Sequence, residues 1–290
     1  MADHRNEVDE VSGTETTGHE WDGIKELNTP LPRWWLWTFY GTIVWGVIYT
    51  ILYPAWPLVS DATAGVLGYT SRAAVHEAID EAAAAQRVFT DRIASLDIDE
   101  IASDAELVQF AQSGGAAIFR NYCSQCHGSG AAGVQASGYP NLLDDDWIWG
   151  GTLTDIETTI RHGIRYDGDD DTRISEMPAF GRDEILSADE IAAVADHVLS
   201  LSGKADATEE GATIYADNCA ACHGEGGMGE PALGAPNLTD AIWLYGSDRA
   251  RVIESITNSR GGVMPGWSGR LGDAQIKQVA IYVHGLGGGQ

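Results

Sequence analysis

Cys123-Ser124-Gln125-Cys126-His127 and Cys219-Ala220-Ala221-Cys222-His223 use every cysteine of the 290-residue chain, and each ends in histidine. That spacing is the signature of covalent c-type haem attachment. Two thiols add across the two vinyl groups of one haem, and the adjacent histidine is held under the iron as its proximal ligand. A structural zinc site also uses paired Cys-x-x-Cys, but Cys126 and Cys219 are much further apart in sequence than the pairs of a zinc ribbon. A thioredoxin-like dithiol does not call for a histidine after both pairs. The expectation is two covalently bound haem c groups and a chain that carries electrons.

Working outward, the two motifs belong to a duplicated unit. Gly115, Phe119 and Cys123 stand 96 residues before Gly211, Tyr215 and Cys219. The same offset relates Pro140-Asn141-Leu142 to Pro236-Asn237-Leu238, Trp147 to Trp243 and Gly150 to Gly246. It falls to 87 at Met177-Pro178 against Met264-Pro265, so the first copy carries an insertion in the acidic stretch 166–174. One fold is used twice.

Each copy reads as helical. Residues 104–120 and 207–217 precede the cysteines, and Ser103 with Glu106 forms an expected capping box. At the far ends, 188–201 and 273–286 place apolar residues at helical spacing: Ile191, Val194, Ala195 and Val198 in one, Ile276, Val279, Ala280 and Val283 in the other. In a small domain the first and last helices can cross, with Gly115 or Gly211 admitting an aromatic side chain of the partner helix. The pattern resembles the class I cytochrome c fold. So small a domain has little core of its own, and the haem would supply much of the interior.

Each iron needs a sixth ligand. Met1 aside, the methionines are Met177, Met228 and Met264. Met177 and Met264 are repeat equivalents in Met-Pro-Ala-Phe and Met-Pro-Gly-Trp, and are the expected sulfur ligands; whether each serves its own copy or the neighbour is open. Met228, five residues after His223, has no counterpart. His162 is the rival ligand in the first copy, while His76, His197 and His284 read as surface or satisfied side chains. The resemblance implies that the carbonyls of Pro140 and Pro236 accept a hydrogen bond from the proximal imidazoles; a bare turn is the alternative reading. The run Asp167-Gly168-Asp169-Asp170-Asp171 lacks the full ligand spacing of a calcium loop and reads as a solvated insertion.

Between Trp34 and Ser60 there is no charged residue, and 34–53 alone is long enough to span a bilayer. Trp34, Trp35 and Trp37 form one aromatic belt and Tyr53 with Trp56 the other, while Pro54 and Pro57 end the helix. A polar, acidic leader precedes this segment, unlike a cleavable signal. Lys25 and Arg33 flank it on one side, and no Lys or Arg occurs from Pro54 to Ser71. The positive-inside rule then puts the N-terminus in the cytoplasm, and the resemblance to c-type cytochromes, whose haem is attached outside the cytoplasmic membrane in bacteria, likewise implies haem domains on the periplasmic side of the inner membrane. The net charge is −26, from 43 acidic and 17 basic residues, which repels nucleic acid and attracts a basic partner such as a small cytochrome c.

The expected architecture is mainly α: a cytoplasmic segment (1–33), one transmembrane helix (34–57), a periplasmic helical tether (58–103) whose docking residues are Val75, Ile79, Phe89 and Ile93, and two tandem class I cytochrome c domains (104–203 and 204–290). With the leader Glu20-Trp21-Asp22-Gly23-Ile24-Lys25-Glu26-Leu27-Asn28-Thr29-Pro30-Leu31-Pro32-Arg33-Trp34-Trp35, the whole closely resembles the CcoP or FixP subunits of cbb-type cytochrome c oxidases. The resemblance implies an electron-entry subunit. It would take electrons from a soluble or anchored cytochrome c and pass them to a monohaem subunit and then to the haem-copper subunit that reduces oxygen, with a small membrane subunit as a further companion. The oxygen-reducing centre is expected on another subunit. An anchored shuttle serving other reductases shares all the haem features, and a dihaem peroxidase would need one open iron.

Overall fold

The computed structural model describes residues 7–289, so Met1 lies outside the described residues. The chain divides into two compact units, Met1–Ala85 and Gln86–Gln290.

In the first unit, β1 (Thr16–Trp21) and β2 (Ile24–Leu27) pair antiparallel, Trp21 against Ile24. The turn between them uses Asp22 and Gly23, both at positive φ, the backbone a tight hairpin requires. Helix α1 (Arg33–Leu52) buries none of its side chains, as expected of a helix whose solvent is lipid. It stops at Leu52, with Tyr53 already extended because Pro54 follows. The next loop folds back onto the helix end. Val66 and Leu67 donate their backbone N–H to the carbonyls of Ile51 and Leu52, which would otherwise lack partners.

Helix α2 (Ser71–Ser95) runs from the first unit into the second. Of its expected docking residues, Val75 and Ile79 are exposed, whereas Ile93 is fully buried and Phe89 stacks on Phe110 with ring centroids 4.8 Å apart. The C-terminal end of the tether, within the second unit, packs into that unit's core. Helix α3 (Ile98–Ala102) follows and adds Ile98 and Ile101 to it.

The second unit holds the two repeats. The first supplies α4 (Ala105–Ile118), a wide π-helical turn (Phe119–Cys123), α5 (Ser124–His127), α6 (Leu153–His162) and α7 (Ala188–Leu201). The second supplies α8 (Glu209–Asn218), α9 (Ala220–His223), α10 (Arg249–Asn258) and α11 (Asp273–His284). Local capping differs from the expected Ser103–Glu106 box. Asp104 is the N-cap of α4, its carboxylate accepting from the N–H of Glu106 and Leu107, while the Ser103 hydroxyl donates backward to the Asp99 carbonyl. A carboxylate is the stronger acceptor at a helix N-terminus, and Asp104 is further fixed by Arg92 at 2.7 Å.

The expectation that the two terminal helices of one copy cross each other is not met. Helix α4 of the first repeat packs on α11 of the second, and α8 of the second packs on α7 of the first. A Cβ on Gly115 would lie 2.6 Å from Cβ of Tyr282 and 2.8 Å from the carbonyl carbon of Gln278, so only glycine permits this crossing. The middle helices follow suit, α6 lying against α11 and α10 against α7. One core therefore joins Leu107, Ala111 and Phe119 to Ile156, Ile160, Ile276 and Val279; the other joins Phe180, Ile191 and Val194 to Tyr215, Val252 and Ile256. The blocks 104–203 and 204–290 are sequence repeats but not packing units. The second core is built from one continuous stretch inserted within the first, because both C-terminal helices present equivalent apolar stripes and each docks on the other repeat.

Candidate haem centres

The short helices α5 and α9 place each cysteine pair and histidine on one turn. Cys123 and Cys219 are half-buried; Cys126 and Cys222 are exposed. Burial, with a smaller push from the neighbouring cysteine, drives the thiols of Cys123 and Cys219 up to about 11.

The histidines are oriented alike. Nδ1 of His127 lies 3.2 Å from the Pro140 carbonyl, and Nδ1 of His223 lies 3.1 Å from that of Pro236. Each carbonyl can only accept, so Nδ1 carries the proton and Nε2 is left with its lone pair, the state an iron ligand needs. Burial pulls both imidazoles below their ordinary value, and the proline carbonyls pull back in part. The carbonyls of Pro140 and Pro236 thus each face a histidine ring from the loop that follows it.

An apolar cavity opens above His127, lined by Cys123, Cys126, Leu142, Trp147, Ile160 and, from the second repeat, Met264. Met264 is pinned there through its backbone, its N–H and C=O pairing with Ile164 at 3.0 and 2.9 Å. The following residues lock the loop to α6, Trp267 N–H donating to the Ile160 carbonyl. In the other core Met177 borders the cluster that joins Phe180, Ile191, Tyr215 and Ile256, as do Cys219, Leu238 and Trp243, and Phe180 N–H donates to the Ile256 carbonyl on α10. Met264 of the second repeat thus lines one cavity with Cys123, Cys126 and His127 of the first, and Met177 of the first repeat borders the same core as Cys219 of the second. Thiols, an imidazole with a free Nε2, a thioether and an apolar wall together fit a covalently held haem.

The rival residues fall elsewhere. Met228 is exposed, its sulfur 3.6 Å from the Thr239 hydroxyl. His162 does not line the cavity; its Nδ1 pairs with the Asp169 carboxylate at 3.1 Å. Asp169 and Asp171 fold back towards His162, so the acidic insertion is more ordered than a solvated run. Among the described residues, His197 Nδ1 is buried without a hydrogen-bond partner, contrary to its reading as surface or satisfied. Its ring packs on Tyr215 as Tyr282 packs on Phe119, with centroids 5.1 and 5.5 Å apart. Asp146, which sequence reading passed over, lines the cavity and is pushed up to about 6 by burial and then by Asp240, Asp144 and Asp145. Its only sequence signal is the cluster of three aspartates before Trp147.

Fold and centres define a cytochrome of the c type, with haem c as its cofactor and, among the described residues, one helix long and apolar enough to cross a membrane. The N-terminal domain of cytochrome oxidase-cbb3, FixP, matches residues 13–60, and cbb3-type cytochrome c oxidase subunit III matches 110–198 and 206–283. A cbb3-type cytochrome c oxidase subunit CcoP of Cereibacter sphaeroides is 57% identical over 278 residues, covering 95% of each chain. Subunits FixP of Sinorhizobium medicae and Azorhizobium caulinodans are 51% and 53% identical, covering 100% of both chains and 99% and 98% respectively. The chain belongs to the CcoP/FixP family of cbb3-type cytochrome c oxidase subunits.

Proposed function

We propose that this chain is the electron-entry subunit of its oxidase, holding two haem c groups. Cys123 and Cys126 would hold the first together with His127 and Met264, and Cys219 and Cys222 the second together with His223 and Met177. When bound, each haem supplies a one-electron ferric–ferrous couple. The observation that carries the reading is Met264 of the second repeat in the cavity of His127 of the first, with Met177 bordering the core that Cys219 also borders. With a thioether and an imidazole both offered to it, the iron would keep no site for oxygen or peroxide, and the group would supply outer-sphere electron transfer. The Pro140 and Pro236 carbonyls hold the imidazoles in register, and the apolar walls exclude water and favour a high potential.

Lys25 and Arg33 on one side of α1 put the N-terminus in the cytoplasm and the haem unit in the periplasm of the inner membrane. The acidic surface draws a basic cytochrome c as donor, and the electrons pass to a monohaem subunit and a haem-copper subunit, with a small membrane subunit alongside. Replacing residues 1–53 by an unrelated single-span anchor of equal orientation tests this. Both haems should load, while copurification with the haem-copper subunit and cytochrome c oxidation by the membranes should fall. Normal complex yield and oxygen uptake would instead identify an anchored shuttle.

A further inference from the structure

Outside their two shared cores, the cysteine-bearing repeats meet through a reciprocal contact. The ring of Trp149, a residue lining the His127 cavity, lies directly on Gly234, where a Cβ would overlap the indole. The ring of Tyr245 lies in the same way on Gly138. Trp149 and Tyr245 are repeat equivalents, as are Gly138 and Gly234, and both glycines take left-handed backbone, φ +69° and +61°. Two residues after each glycine stands the proline whose carbonyl meets a proximal histidine, Pro140 for His127 and Pro236 for His223. Gln135 Nε2 closes the junction by donating to the Trp243 carbonyl at 2.7 Å. Each aromatic ring thus touches the loop that orients the other repeat's histidine.

An arginine covers each ring. The guanidinium of Arg173 lies 5.6 Å from the Trp149 centroid and that of Arg260 lies 4.5 Å from the Tyr245 centroid. Arg173 is anchored to the Trp149 carbonyl at 2.5 Å and to Asp155 at 3.2 Å, and Arg260 to the Arg251 carbonyl at 2.9 Å. A cation over a π face is attracted to the neutral ring and opposes removal of an electron from it. The rings are therefore built to stay neutral while an electron tunnels past, and not to be oxidised as stopping points.

We infer that Trp149 and Tyr245, each seated on the other repeat's glycine, are the positioning residues that set the juxtaposition of the two haem sites and bridge the electron's passage between them. The inference rests on the two-haem reading. In the step, the ferrous iron of one site becomes ferric, the ferric iron of the other becomes ferrous, no bond forms or breaks and no proton moves; an external c-type cytochrome is the reductant that starts it.

The test uses the full-length chain in detergent with both haems loaded, photoreduced by a flash-excited ruthenium polypyridyl complex while haem absorbance is followed. Both midpoint potentials are titrated for each variant, so that rates are compared at matched driving force. Trp149→Leu and Tyr245→Leu should each slow equilibration between the haems by roughly tenfold, because displacement of a positioned pair is costly. Trp149→Phe should recover most of the rate. Leucine variants that equilibrate at the wild-type rate overturn the proposal. If Trp149→Leu does not load haem, Gly234→Ala displaces the same indole from outside its cavity, and a wild-type rate there overturns it equally. A haem content of one per chain in the wild-type protein would reject the two-haem reading itself, an outcome separate from any change in rate.

Discussion

Met264 and Met177 are equivalent in sequence, yet each borders a core together with the other repeat's first cysteine, and a single substitution can test whether each serves the other repeat's haem. In a chain made single-haem by Cys219→Ala with Cys222→Ala, Met264→Leu should abolish the weak methionine-to-iron band and lower the remaining potential, because a thioether stabilises ferrous iron. Met177→Leu in the same background should leave that band intact. The opposite result would return each methionine to its own repeat. Asp146 offers a second test at this scale. Its carboxyl is raised to about 6 from 3.8, so between those values the folded chain holds a proton that the unfolded chain has released. Its contribution to stability is full below pH 3.8 and erodes as the pH rises through 6. Asp146→Asn should flatten that part of the Tm-against-pH curve and raise Tm at pH 7; a slope unchanged from wild type would exclude Asp146 as its source.

At the scale of the element, two adjacent glycines in α4 separate helix propensity from close approach. A Cβ on Gly114 would meet only the side-chain amide of Gln278, at 2.6 Å, which can swing away; a Cβ on Gly115 would meet the backbone of Gln278 and Cβ of Tyr282. Gly114→Ala should be neutral or stabilising by up to about 1 kcal/mol, and Gly115→Ala destabilising by about 1–3 kcal/mol in denaturant titrations. Equal effects would mean that α4 does not cross α11 at Gly115. The helices themselves were legible: the apolar spacing of Ile191, Val194 and Val198 marks out Ala188–Leu201, and the structure has the same bounds. The pairing was not, since Ile276, Val279 and Val283 present the same stripe and either helix could take the face of Gly115. Local periodicity encodes a buried face but not its partner. The cysteines, histidines and prolines of the site were legible for the opposite reason, because their chemistry is confined to a few neighbouring residues. The seats of Trp149 and Tyr245 lay in the same repeat register, but only the folded contact shows what the register is for.

At the scale of the whole molecule, interlacing makes the repeats interdependent. A chain ending at residue 203 keeps Cys123, Cys126, His127 and α4 but loses α11, Met264 and the Lys277 ammonium that binds the Ala94 and Leu96 carbonyls. Its first core should fail to close. Limited proteolysis should cleave it at rates near those of an unfolded chain, where two independent domains would leave a resistant fragment containing Cys123 and Cys126.

The contact between Lys277 and Ala94, 183 residues apart in the chain, also sets an order in time. A ribosome makes Cys123 long before it makes Tyr282, so the earlier pair of thiols waits on an open strand until the last helix arrives. A nascent chain interrupted anywhere before α11 presents its first attachment site unprotected, and the cell can dispose of it before it is mistaken for a finished electron carrier. Pulse-labelled chains should therefore acquire the first haem before they acquire protease resistance; resistance appearing first would mean that the fold closes without its final helix.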